Sequence, residues 1–401
     1  MSYAETPRSQ EEEGLMKSRL AIVLAATMVA GMALGAQAAE PIKIGAFFAL
    51  SGPNAPIGTP TKLVAEMVVD KINKAGGING RPLQLIMGDT ESDPAKAATI
   101  AKKFIHSDKV AAIIGPTSTG EGMQSKKIVE EAGVPTFMTV GGDPPIMKET
   151  GPYTYVFKSP QRSSTAVKKL FAYLKEKKLT KLGLLTASDP FGKDGAVWLE
   201  KLAPEYGLTF VAKESFGPKD TDMTAQLTNI KKANPQAIVV WTIGPAGAIV
   251  AKNKVQLGIN LPLFQCHGQP GPEYIQLAGK ASEGDRMPAT KLMAAAQLPD
   301  ADPQKKVIQE FIKLYKDDYK YDKQFPLNTH SGYAWDAIYI VTNAMKKAGT
   351  DPKALRAAIE GTKGYVGVSG VYNLTPEDHN GLDVDSMVIV QVKDGKFVLA
   401  E

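Results

Sequence analysis

Cysteine is nearly absent from this 401-residue chain. Cys266 is the only one, so no internal disulfide can brace the fold and a buried core must hold it. Histidine is scarce as well. His106, His267, His330 and His379 lie far apart, without the spacing of a metal site. Neither sign of charge dominates: 47 basic and 42 acidic residues leave +5. Residues 1–38 hold three basic and four acidic groups, which leaves +6 for the rest, with lysines scattered along helix faces. That pattern excludes a nucleic-acid surface. No G-x-G-x-x-G follows the first strand, no G-x-S-x-G elbow appears and no H-E-x-x-H exists. Gly115 to Gly120 has the spacing of a phosphate loop, but Glu121 stands where its lysine should be. The pair Asp317-Asp318 reads as solvated helix face. No cofactor, metal or catalytic residue is therefore expected. The longest apolar run, 20–34, falls short of the about 20 residues that a spanning helix needs.

What that run does fit is an export signal. Lys17 and Arg19 precede it, and Ala36-Gln37-Ala38 supplies small residues for a signal peptidase. No cysteine follows, which excludes lipidation, so a free soluble protein is expected. Residues 1–15 are acidic and polar, and Met16 is an alternative start. The remaining chain suits two domains. With 43% apolar and 22% charged residues it has an ordinary globular composition.

Beyond residue 38 the chain alternates between strand and helix. Strands are expected at 42–50, 83–87, 110–114 and 135–139, and helices at 62–74, from Asp93-Pro94, and at 120–132. Residues 51–58, SGPNAPIG, read as a glycine-punctuated loop. The pattern restarts with strands at 181–186, 209–215, 237–242 and 261–265, and helices at 194–206, 224–233 and 246–257. Three longer helices (303–319, 333–347, 352–360) and a β-rich tail (371–374, 387–392, 397–399) follow. Such alternation gives parallel sheets covered by helices. The expected class is α/β, two doubly wound parallel-sheet lobes.

Ligands of open α/β sheets sit beyond the carboxyl ends of the strands. Three of those ends are rich in Gly, Ser and Thr: 51–58, 115–120 and 139–143. Thr119, opening a helix, reads either as an anion donor or as the cap of its own helix. The convergence of three such loops favours a binding site.

The segments SGPNAPIG, KAGGINGRPLQL, GDTESDPAKAATIAKKFI, AAIIGPTSTG, EEAGVPTF and DPFGKDG occur in an order that resembles the type I periplasmic solute-binding proteins, in particular the leucine/isoleucine/valine-binding proteins of ABC transporters. The resemblance covers 42–401. It implies lobes of 39–160 with 289–382 and of 161–288 with 383–401, joined by a three-crossover hinge that closes on a ligand. It also implies a periplasmic monomer whose partners are a small-molecule ligand and a membrane permease. By the resemblance, Ser118, Thr119 and Gly120 receive a ligand carboxylate. Gly141 and Gly142 lie where a carbonyl and a threonine hydroxyl meet an α-ammonium, and Gly142 brings no hydroxyl. Phe191 is the aromatic cover, and His267 stands where an acidic residue pairs with the ammonium. Ile57 and Gly244 complete the expected lining, and Arg162 is a further donor. The loss of both ammonium partners points to a small carboxylate without an amine, an aromatic or branched aliphatic acid, with Gly142 leaving room for a ring. A branched-chain or other aliphatic amino acid is the alternative ligand. A structural hydrogen bond near the hinge is the alternative role for His267. A receptor-docking sensor and an exported hydrolase are alternatives of other classes.

Overall fold

The computed structural model describes Met1, 39–217 and 219–401; the segment read as an export signal lies outside the described residues. Among the described residues no helix is long and apolar enough to cross a membrane. The first lobe is built on β1 (Ile42–Phe48), β2 (Leu83–Asp89), β3 (Ala112–Ile114), β4 (Thr136–Met138) and β5 (Val156–Lys158). These pair in parallel in the order β2-β1-β3-β4-β5. The central strands are buried on both faces, because helices α1 (Ala55–Lys74), α2 (Pro94–Lys103) and α3 (Thr119–Ala132) cover them. Side chains alternate along β1, so Ile44, Ala46 and Phe48 enter one core while Phe47 enters the other.

The second lobe holds β6 (Lys181–Ala187), β7 (Thr209–Phe216), β8 (Ala237–Trp241), β9 (Leu263–Gln265) and β10 (Arg286–Thr290). Its helices are α4 (Ser163–Glu176), α5 (Pro190–Leu202), α6 (Thr224–Lys232), α7 (Ala246–Gln256) and α8 (Pro272–Ala278). The chain then returns to the first lobe as α9 (Lys305–Lys313), α10 (Tyr333–Ala348) and α11 (Pro352–Glu360). There Phe311, Trp335, Ile338 and Leu355 share a core with β1 and α1. A two-stranded ribbon, β11 (Tyr365–Val366) and β12 (Val371–Tyr372), precedes the last crossing. β13 (Met387–Lys393) and β14 (Lys396–Leu399) then complete a seven-stranded sheet, β14-β13-β10-β9-β8-β6-β7. The chain thus passes between lobes three times, after β5, after β10 and before β13.

Three differences from the sequence reading have physical causes. The second sheet is mixed, not wholly parallel: β13 runs antiparallel to both β10 and β14. Strand β10 escapes a pattern search because it contains Pro288, which has no N–H to donate. It is tolerated because β9 pairs with β10 only at Arg286–Phe264. Helix α1 begins at Ala55, two turns earlier than expected, so 55–58 is helix and not loop. Pro56 occupies the first turn, where proline is welcome, and Pro60 lies inside the helix. Lacking an N–H, Pro60 leaves the Pro56 carbonyl free, and Asn328 Nδ2 donates to it at 3.3 Å.

Candidate functional site: a cavity between the lobes

Residues beyond the carboxyl ends of β3, β4, β6, β8 and β9 converge on one cavity. From the first lobe come Ile57, Thr117, Ser118, Thr119, Thr139 and Gly141; from the second come Phe191, Ile243, His267 and Gly268; His330 and Tyr333 close it. The lobes are shut upon each other. Asp143 N–H donates to Asp194 Oδ2 across the cleft at 3.0 Å. A Cβ on Gly141 would stand 2.9 Å from the Phe191 ring and 3.3 Å from His267 Nε2, so the facing surfaces leave no room for one. The space left is about 20 Å³, enough for about one water.

The loops are tied together before they meet a ligand. Ala49 N–H donates to Thr117 Oγ1 at 3.0 Å, and Thr139 Oγ1 donates to the Pro116 carbonyl at 2.7 Å. Ser118, not Thr119, caps α3. Its Oγ accepts from Glu121 N–H at 3.3 Å, while Glu121 Oε2 accepts from Ser118 N–H at 2.6 Å. Glu121, foreign to a phosphate loop, is thus a buried capping residue that also accepts from Thr90 Oγ1. Thr119 is the first helical residue, and its Oγ1 accepts from Gly142 N–H at 3.1 Å. That leaves the hydroxyl proton of Thr119, and the amides of Thr119 and Gly120, without acceptors among the described residues. A helix start leaves such amides unpaired by its geometry.

His267 lies 5.5 Å from the Phe191 ring and 5.4 Å from the Trp241 ring, and is 2% exposed. Neither ring nitrogen has a well-formed hydrogen bond, although the Gly141 backbone lies close to the ring. Burial, with the nearby Lys158 charge, pushes the imidazole down to about 3, so it is neutral at physiological pH. His330 shares the cavity, and burial lowers it to about 4. Among the described residues no group of three metal-binding side chains forms. Cys266 is buried and its thiol pushed up to about 12, hence inert.

Four expected residues sit elsewhere. Arg162 does not line the cavity: its Nη2 donates to Asp378 Oδ1 at 2.7 Å, joining the first and third crossovers. Gly142 leaves no room for a ring, because a Cβ there would be 2.7 Å from the Thr119 side chain. Gly120 faces an outer pocket that also touches Ser118, Thr119 and Phe191, and Gly244 lines a separate adjoining chamber. Ile57, Ser118, Thr119, Gly141, Phe191 and His267 do come together. The sequence reading missed His330 and Tyr333, which precede and open α10 instead of following a strand. It also missed Lys158, whose Nζ donates to the carbonyls of Gly141 at 2.8 Å, Pro160 at 3.2 Å and Gln161 at 2.7 Å. A lysine ending the apolar strand Val156–Lys158 was the available signal. Its full burial pushes the ammonium down to about 7.

Two α/β lobes, three crossovers and an interlobe cavity define a protein that closes around a solute. Residues 41–396 match the family model for periplasmic binding proteins, and the chain belongs to that family. The Leucine-, isoleucine-, valine-, threonine-, and alanine-binding protein of Pseudomonas aeruginosa is 27% identical over 346 residues, covering 85% of this chain and 88% of that protein. Among solved structures, an extracellular ligand-binding receptor from Rhodopseudomonas palustris is 28% identical, with a TM-score of 0.83 over 90% of this chain and 99% of that one. The branched-chain amino acid transporter substrate binding protein LivJ from Streptococcus pneumoniae, solved in complex with isoleucine, is 26% identical. It has a TM-score of 0.78, covering 90% of this chain and 99% of its own. The chain is therefore a solute-binding protein of the branched-chain amino-acid type, and not an enzyme.

Proposed function

We propose that the protein captures a small carboxylate lacking an α-ammonium group, an aromatic or branched aliphatic acid, in the interlobe cleft. In this reading it is exported to the periplasm and, as a monomer, presents the closed form to an ABC-transporter permease. The observation that carries the ligand class is the lining of the inner cavity, which contains no carboxylate among the described residues. An ammonium buried there would have no counter-charge, at a cost of several kcal/mol. A carboxylate would instead meet the free amide of Thr119, two hydroxyls and a neutral His267. Ile57, Phe191 and Gly141 would cover it, and Phe191 would close over its apolar body.

Capture follows from differential contact. A ligand touching both lobes favours the closed form by as much as its extra contacts there. The competing reading, a branched-chain amino acid, is supported by what the Pseudomonas relative is named to bind. Titration calorimetry with leucine against benzoate and isovalerate separates the two. Acid binding with little or no leucine binding is expected; tight leucine binding without acid binding overturns the proposal.

A further inference from the structure

The inner cavity is too small for a whole ligand, and a larger chamber of about 300 Å³ opens beside it. The two share Ile57, Gly268 and His330, so a ligand whose head fills the first can pass its body into the second. Pro53, Pro56, Pro245 and Pro270 wall the chamber with rigid apolar surface. Within that wall stands a carboxylate, Glu273, near the start of α8. Its Oε1 accepts a long hydrogen bond, 3.4 Å, from Asn328 Nδ2, the one side-chain hydrogen bond to it among the described residues. Asn328 is itself held by the Pro56 carbonyl that Pro60 leaves vacant. The chamber therefore joins both lobes, Pro56 from the first and Glu273 from the second.

We propose that this chamber is a second subsite, in which Glu273 reads the far end of the ligand and selects carboxylates that carry a hydrogen-bond donor, hydroxyl or ammonium, at that end. The inference rests on the carboxylate-capture reading above. A part-buried carboxylate whose side-chain partner is a single long hydrogen bond has acceptor capacity to spare, and a bound hydroxyl or ammonium would use it. Burial raises the Glu273 carboxyl above its ordinary range, as expected for a group awaiting such a partner. The outer pocket past Ser118 offers no equivalent, because its carboxylates are engaged by backbone amides: Asp189 caps α5 through Gly192 N–H at 2.7 Å, and Asp220 accepts from Gly217 N–H at 2.7 Å.

The test is calorimetry on the full exported chain with unbranched alkanoates of increasing length and with their ω-hydroxy and ω-amino counterparts. The ω-substituted acids are expected to bind about tenfold or more tightly than the parent acids. Glu273→Leu should erase that preference, bringing parent and ω-substituted acids within about twofold of each other, with Glu273→Gln losing the ammonium preference first. Thermal melts of both variants confirm that they fold. Equal binding of parent and ω-substituted acids, or a Glu273→Leu variant that weakens both alike, overturns the second subsite alone. Failure of every alkanoate to bind overturns the carboxylate reading and the subsite with it.

Discussion

Gly141 shows how little separates an open cleft from a closed one. The missing Cβ is what lets the first lobe touch Phe191 and His267 of the second. Trp241 lies behind both rings, 6.0 and 5.4 Å away, so neither has free space to retreat into. Gly141→Ala should therefore hold the lobes apart. Calorimetry should show affinity lower by about tenfold or more, with the ligand-free melting temperature little changed. His267 makes the complementary prediction. His267→Glu would place a carboxylate in a cavity that lacks one, and leucine binding should strengthen by about tenfold or more while acid binding falls. Unchanged selectivity would show that position 267 does not face the ligand. Both residues could be picked out in the sequence. That His267 is left without a partner, and that Arg162 is claimed by an aspartate 216 positions away, could not.

At the scale of elements, the start of α3 does two jobs with one set of atoms. The Ser118–Glu121 capping box ends the loop after β3 and fixes which amides stay free. Ser118→Ala should cost about 1 kcal/mol in chemical denaturation, the usual price of a lost cap. It should weaken ligand binding as well, because the amide of Thr119 loses its fixed direction. A variant destabilised with unaltered affinity would remove α3 from the site. The same logic governs α1. The close approach of Gly58 to the Ala49 carbonyl, where a Cβ would sit 2.0 Å away, places this helix against the end of β1 and aims Ile57 at the cavity. Prolines 56 and 60 made that turn read as loop, since proline inside a helix normally breaks it. The Asn328 amide that takes up the freed carbonyl lies 272 residues further on.

Closure of the whole molecule carries a titratable group. Asp194 of the second lobe accepts the Asp143 amide of the first, and burial together with the Asp143 charge pushes its carboxyl up to about 7, against the pull of Lys158. Opening exposes Asp194 to water and returns it toward an ordinary carboxylate. The closed form then binds the proton more tightly, so the stabilisation is full below the ordinary value of 3.8, declines as pH rises above it and is gone above about pH 7. Ligand affinity should fall between about pH 4 and 7, by at most about tenfold per unit, and level off above pH 7. Burial also lowers Lys158 to about 7, but it is bound to the carbonyls of Gly141 and Pro160 in the first lobe and of Gln161 at the first crossover, so opening leaves its partners in place. Asp194→Asn keeps an acceptor for the amide without the charge and should flatten the profile. A wild-type affinity independent of pH in this range would remove Asp194 from closure.

Local pattern alone determined the alternation of strands and helices, the Asp93 cap, α11 from Pro352 to Glu360, and the strand-end loops where a ligand belongs. Each of these is written in residues close together, and period and capping chemistry report on near neighbours. Strands β5 and β10 were illegible: one has three residues ending in a buried lysine, the other a proline, and both depend on distant partners for their pairing. The site divides the same way. The hydroxyls and glycines of its first-lobe wall follow strands and could be found. His330, Tyr333, Glu273 and the Asp143–Asp194 contact exist as a site only because three crossovers bring the lobes face to face. Burial then strips those groups of water, and no reading of neighbours along the chain contains that.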